Sequence, residues 1–259
     1  MVVLRERVHA EVLKWTAFRE PAVLAGLGVA LSLVWALAYS AHFSARGVGE
    51  TFWGGTARGF TDFGLLCLIL AGGAFIIGDH HRDGGYPDAL KAMPGVRLFI
   101  AVKLLVAGLF GAAFALLAGA VGTVGAHLAL RGAVGPFDPI QVPRMMLAGL
   151  LAASIGVTLG VMLRHERLLV VFVTLGWVFV IEKILGALHP LIADATGPNA
   201  ADHITSFLTP VRSLAWFVTE NSLGVSRGFN SAIGILPAVT LLLVLATIAM
   251  MQAKRRTRP

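Results

Sequence analysis

The sequence predicts an all-α, polytopic membrane protein with six transmembrane helices and an N-terminal amphipathic helix lying on the membrane surface. Three observations predict it. Of 259 residues, 57% are hydrophobic and 14% charged, whereas an ordinary globular chain is about a quarter charged. Several apolar runs reach the ~18–20 residues that cross a bilayer and that soluble cores rarely contain. Between those runs the basic residues gather: Arg5, Arg7, Lys14 and Arg19; Arg82, Lys91 and Arg97; Arg164 and Arg167; Lys254, Arg255, Arg256 and Arg258. Such clusters are the Lys and Arg excess of cytoplasmic loops. The net charge of +7 therefore reads as membrane topology, not as a nucleic-acid surface.

Residues 1–21 form the first unit. Val3, Leu4, Val8, Val12, Leu13, Trp15 and Phe18 alternate with Arg5, Glu6, Glu11, Lys14 and Arg19 at helical spacing. That pattern suits an interfacial helix, with Trp15 and Phe18 dipping into the headgroup zone. Twenty residues with seven charges precede the first apolar run, which excludes a cleavable signal peptide as the reading. Pro21 suits the opening turn of the first span.

Residues 22–259 read as a single transmembrane domain. Its spans run about 22–42, 60–78, 96–130, 145–163, 168–189 and 232–252. The third is longer than a bilayer requires, and Lys103 near its start is expected to snorkel to the interface. With the amino terminus inside, all four basic clusters fall on the cytosolic side, so both termini are expected there. The last outer loop holds an apolar stretch, Ile204–Val218, too short to span. Short helices capping the spans or resting in the outer leaflet are expected from it.

Between the second and third spans lies a polar island, Gly78–Arg97. Its flanks, Phe63–Ile77 and Leu98–Leu130, carry one charge between them, Lys103. A short charged segment held between two spans is a natural handle for a soluble partner. The Gly84-Gly85 pair permits a sharp turn, and Pro94 fixes a bend into the next span.

The motifs of self-contained chemistry are missing. No Gly-x-x-x-x-Gly-Lys-Ser/Thr, His-Glu-x-x-His or Gly-x-Ser-x-Gly occurs. Cys67 is the one cysteine, which excludes an intramolecular disulfide. Asp79, His80, His81 and Asp83 offer metal-ligating side chains, but adjacent histidines on a helix point about 100° apart. They read better as a solvated helix end. His42, His127 and His189 fall near span ends and read as interfacial anchors, with no haem implied. No acid, base and nucleophile set is present, so no enzyme is expected.

Glu182 and Lys183 sit inside the fifth span, where ionisable groups are costly. Glu182 is a candidate for a transport path; the competing reading is a buried structural hydrogen bond. A proton- or ion-coupled carrier, titrating Glu182 and Asp62, is the alternative that this pair keeps open. Ala152, Gly156 and Gly160 repeat at four-residue spacing in the fourth span and predict close helix packing, within the chain or at a dimer seam. Gly119, Gly122 and Gly125 in the third span are less regular and read as positions of packing or local flexibility.

Taken together, the chain resembles the permease subunits of ABC type-2 exporters. The opening Arg-Val-His-Ala-Glu-Val-Leu-Lys-Trp-Thr-Ala-Phe-Arg is similar to the amphipathic helix of that family. Gly78, Arg82, Gly84, Leu90, Pro94, Arg97 and Lys103 match the stretch that joins its second and third spans. Asp79–His81 and Gly85-Tyr86 depart from the usual residues there. Gly156, Gly160, Arg164, Glu182 and the Lys-Arg-Arg tail extend the likeness over nearly the whole chain. The resemblance implies that the island is a coupling helix docking on a separate ATP-binding subunit, and that two permeases, identical or sister chains, pair in the membrane. ATP and magnesium would then belong to the partner, with no cofactor on this chain. Arg82 and Lys91 would face acidic residues of that subunit, while Tyr86, Leu90 and Met93 would fill a groove in it. Substrate would leave the cytosol across the inner membrane by a path at the permease dimer interface, between inner faces of the second and fifth spans; the alanine- and glycine-rich composition points to a bacterium.

Overall fold

A computed structural model describes residues 2–44, 52–82, 96–129, 140–163, 167–197, 200–201, 204–205, 208–219 and 231–256. The helices run in order α1 (Val2–Ala17), α2 (Arg19–Ser44), α3 (Phe52–Gly59), α4 (Leu65–Arg82), α5 (Val96–Ala129), α6 (Gln141–Met162), α7 (Arg167–Leu175), α8 (Glu182–Thr196), α9 (Pro210–Thr219) and α10 (Ser231–Arg256). Two π-helical turns, Phe60–Gly64 and Gly176–Ile181, splice α3 to α4 and α7 to α8. No strand occurs among the described residues. Five stretches are long and apolar enough to cross a membrane: Arg19–Tyr39, Thr56–Gly78, Leu98–Gly125, Gln141–Met162 and Leu168–Leu185. The last helix, α10, carries the shorter apolar stretch Ile235–Met251. The protein is thus a helical, multi-pass membrane protein.

Helix α6 is the hub, packed along α4 on one side and α5 on the other. Its small residues explain why. A Cβ on Gly156 would collide with the carbonyl oxygen of Ile69 in α4, and Gly149 and Gly111 would each strike the other's carbonyl. With hydrogen at these positions the backbones touch directly, as small-residue stripes allow in membranes. The stripe of Ala152, Gly156 and Gly160 is therefore consumed inside the chain: Gly160 lies against Gly73 and Ile76 of α4. The third-span glycines pack likewise, Gly119 on Met145, Gly122 on Thr56 and Gly125 on Leu33.

Two cores result. One gathers Phe60, Leu65, Leu68, Phe114, Met145, Leu151, Leu214 and Val218 from the α3–α4 unit, α5, α6 and α9. The other gathers Trp15, Phe18, Phe75, Phe99, Val102, Val106 and Val157 at the end where α1 lies. By contrast, α2 and the α7–α8 unit keep long apolar faces outward, including Val23, Leu27, Val34, Leu168, Phe172, Phe179 and Ile184.

Two sequence expectations are corrected. Trp15 and Phe18 are not presented outward to headgroups; they are 2% and 6% exposed, packed against the rest of the protein. Lys103 does not snorkel: it is 1% exposed, because an acid from α1 meets it within the bundle.

Candidate functional site

The residues flanking the polar island are held by α1. Its inward stripe is Val8, Glu11, Trp15 and Phe18, at the three- and four-residue spacing of one helix face. Val12 and Leu13 point outward instead. Glu11 is 5% exposed, and its Oε2 accepts a 2.8 Å hydrogen bond from Lys103 Nζ in α5. The ammonium also stands 4.9 Å from the ring centres of both Phe75 and Phe99. Each π-face adds to the electrostatic stabilisation of a charge removed from water. Trp15 stacks on Phe75 with centroids 4.4 Å apart and meets Phe110 at 4.3 Å. Through these contacts α1 grips the last turns of α4 and the first turns of α5.

Arg82 ends α4, and nothing of its side chain is described. Gly84, Gly85, Tyr86, Leu90, Lys91, Met93 and Pro94 lie outside the described residues, as do the side chains of Asp79, His80 and His81. The coupling-helix expectation therefore concerns a segment whose two anchors are visible and whose middle is not described.

At the opposite end, Glu182 has a specific architectural setting. It is 4% exposed. Its Oε1 accepts the backbone N–H of Val211 at 2.9 Å, and its Oε2 accepts that of Arg212 at 2.9 Å. Trp177, within the second π turn, donates its indole N–H to Oε1 at 3.2 Å. Val211 and Arg212 are the second and third residues of α9, whose first N–H groups have no partner within the helix. Pro210 at the first position lacks an N–H to satisfy. The local capping candidate, Thr209, spends its hydroxyl on the carbonyl of Thr205 instead. Glu182 takes over the cap from a neighbouring helix, and its negative charge suits the positive end of the α9 dipole.

The other end of α9 is held too. Arg144 of α6 donates from Nη1 to the carbonyl of Phe217 at 3.3 Å, with its guanidinium 5.4 Å from the Phe217 ring centre. A cation at a helix C-terminus complements the dipole there. An acid and a base from two spans thus bracket a ten-residue helix too short to cross a bilayer. Its own Pro210, Val211, Ser213, Leu214 and Val218 are buried. Of the two readings of Glu182, these contacts describe the structural one. Lys183, by contrast, is exposed.

The contacts that sequence reasoning missed are those between α1 and α5 and those that bracket α9. Glu11 gave a faint signal, since it falls on the Trp15–Phe18 face. Nothing local to Glu182 or Arg144 names the α9 backbone atoms that it meets, because they lie far along the chain. The chain matches no family model, no curated protein and no solved structure.

Proposed function

We propose that this chain is the membrane-spanning permease subunit of an ATP-binding-cassette exporter, with six spans and both termini in the cytosol of a bacterium. The observation that carries this reading is the α1 clasp. The ends of α4 and α5 frame the polar island, and the Glu11–Lys103 pair and the Trp15–Phe75 stack lock both to α1. A partner pressing on residues 83–95 would then move three helices as one body. The tight Gly156–Ile69 and Gly111–Gly149 approaches would pass that displacement to α6. Interiors packed this closely transmit strain rather than absorb it.

The chain has no P-loop of its own, so ATP would be bound and hydrolysed on a separate subunit. A second permease, identical or sister, would complete the transporter. The cap that Glu182 makes on α9 supports an architectural role for that carboxylate rather than the titrating role the carrier alternative gives it.

The test is a triple substitution of Arg82, Tyr86 and Leu90 to alanine in native cells, where the proposed partner ATPase would be expressed. Loss of the co-purifying ATPase, with the permease still folded in the membrane, is the expected result. An intact complex with intact transport would remove the docking proposal.

A further inference from the structure

Where α2 begins, a narrow groove opens between the second and fifth of the apolar stretches. Its floor is one face of α4, Leu70, Ala74 and Ile77, at the four- and three-residue spacing that aligns side chains along a helix. Val170 and Val171 of α7 form one wall, and Glu20 and Leu24, one turn apart in α2, form the other. Gly73 lets α7 close on α4, since a Cβ there would lie only 2.7 Å from a methyl of Val170. The small side chain of the next residue, Ala74, leaves the space that becomes the groove. Its volume is about 90 Å³, against ~150 Å³ for a cavity that admits benzene, so about three or four carbons fit inside.

Glu20 is the one ionisable residue of that lining. It is half-buried, and its Oε2 lies 3.8 Å from the position that a Cβ on Gly78 would take. The Phe18 ring borders the same point at 3.6 Å, so the carboxylate stands at the α1 end of the groove. Leu70 marks the other end, ~12 Å from Gly78 along α4 at ~1.5 Å per residue. The groove therefore has a direction, with negative charge at one end and hydrocarbon along the rest.

Apolar walls with one placed charge decide both what binds and how it lies. An anion meets a like charge at Glu20. A neutral alkyl compound gains only the burial of its carbons. A compound with a cationic head and a short chain gains that burial and the attraction of the carboxylate together.

We propose that this groove binds a small amphipathic cation, an alkylammonium whose head lies against Glu20 and whose chain runs along Ala74 and Val170 toward Leu70. As a class of cargo such a cation rests on the exporter reading; as a ligand it does not, because binding requires no ATPase.

The test uses the full chain in a neutral maltoside detergent, titrated with hexylammonium, hexanol or hexanoate and followed by saturation-transfer NMR of the ligand methylenes. Hexylammonium should bind at least about threefold tighter than hexanol, the order of one solvent-edge ion pair, and hexanoate should bind weakest. Glu20→Gln should bring hexylammonium to the affinity of hexanol and leave hexanol unchanged. Ala74→Leu fills the groove and should weaken both, which supplies a second variant should Glu20→Gln not fold. Equal binding of hexylammonium and hexanol by the unaltered chain would overturn the proposal, as would a preference that survives Glu20→Gln or binding that survives Ala74→Leu. Displacement of hexylammonium by dioleoyl-phosphatidylethanolamine but not by dioleoyl-phosphatidylglycerol would assign the groove to a lipid amine and overturn the free cation.

Discussion

Glu182 and Val211 lie 29 positions apart and are joined by a 2.9 Å hydrogen bond from the Val211 N–H to the Glu182 carboxylate. The bond makes an acid inside one helix the N-cap of another. It explains how a short apolar helix, α9, can be seated among spans with its terminal N–H groups satisfied. With Arg144 on its far end, α9 is positioned by two side chains that match its dipole.

Replacing Glu182 with leucine removes the acceptor for two backbone N–H groups and the Trp177 indole. A buried, unsatisfied polar group costs about 1–3 kcal/mol, so the loss should be several times the effect of a surface change. Glu182→Gln keeps one acceptor oxygen and should cost less than half as much. Thermal unfolding of the purified variants in one detergent checks both the size and the order.

The Glu11–Lys103 pair should show strong coupling. Lys103→Met leaves the buried Glu11 carboxylate with only Lys14, 3.9 Å away, as an ion-pair partner, at a cost of up to about 3–5 kcal/mol. The double variant Glu11→Leu with Lys103→Met removes both charges and should recover most of that loss. A double-mutant cycle on unfolding midpoints measures the coupling, and additive losses would contradict the ion pair.

Gly156 tests the α4–α6 contact. A methyl there meets the Ile69 backbone, which cannot rotate away. Gly156→Ala should cost about 1–3 kcal/mol, as overpacking does. Gly26 has open space around it, and Gly26→Ala should be neutral or slightly stabilising. Side-by-side melting curves of the two variants separate packing from helix propensity.

Cys67 is 5% exposed, with its side chain against Gly28 of α2. Maleimide labelling of the folded protein should be slow, and complete on denaturation. Fast labelling in the native state would show that the α2–α4 contact opens readily.

Much of the fold was legible in the sequence because the bilayer imposes a coarse code. Length and apolarity mark a span, and the five long stretches follow the runs read from composition. The small-residue stripe also declared itself as a close-packing face, and Gly156 and Gly160 meet α4 there. Side-chain partners were less legible. Lys103 read as a snorkelling residue because its position near the start of a span is where lysines reach water. Its partner, Glu11, comes from a helix that composition placed on the membrane surface. The π turns left no sequence mark: Phe60–Gly64 and Gly176–Ile181 continue the apolar pattern on either side. The proposed coupling residues Arg82, Tyr86, Leu90, Lys91 and Met93 rest on the sequence alone, since their side chains lie outside the described residues.

The most direct measurement is affinity purification of the tagged full chain from its native membrane, with the bound proteins identified by mass spectrometry. The account predicts a stoichiometric P-loop ATPase that is lost when Arg82, Tyr86 and Leu90 are replaced together. Purification without any ATPase, combined with proton-gradient-driven uptake by the protein alone in liposomes, would contradict it.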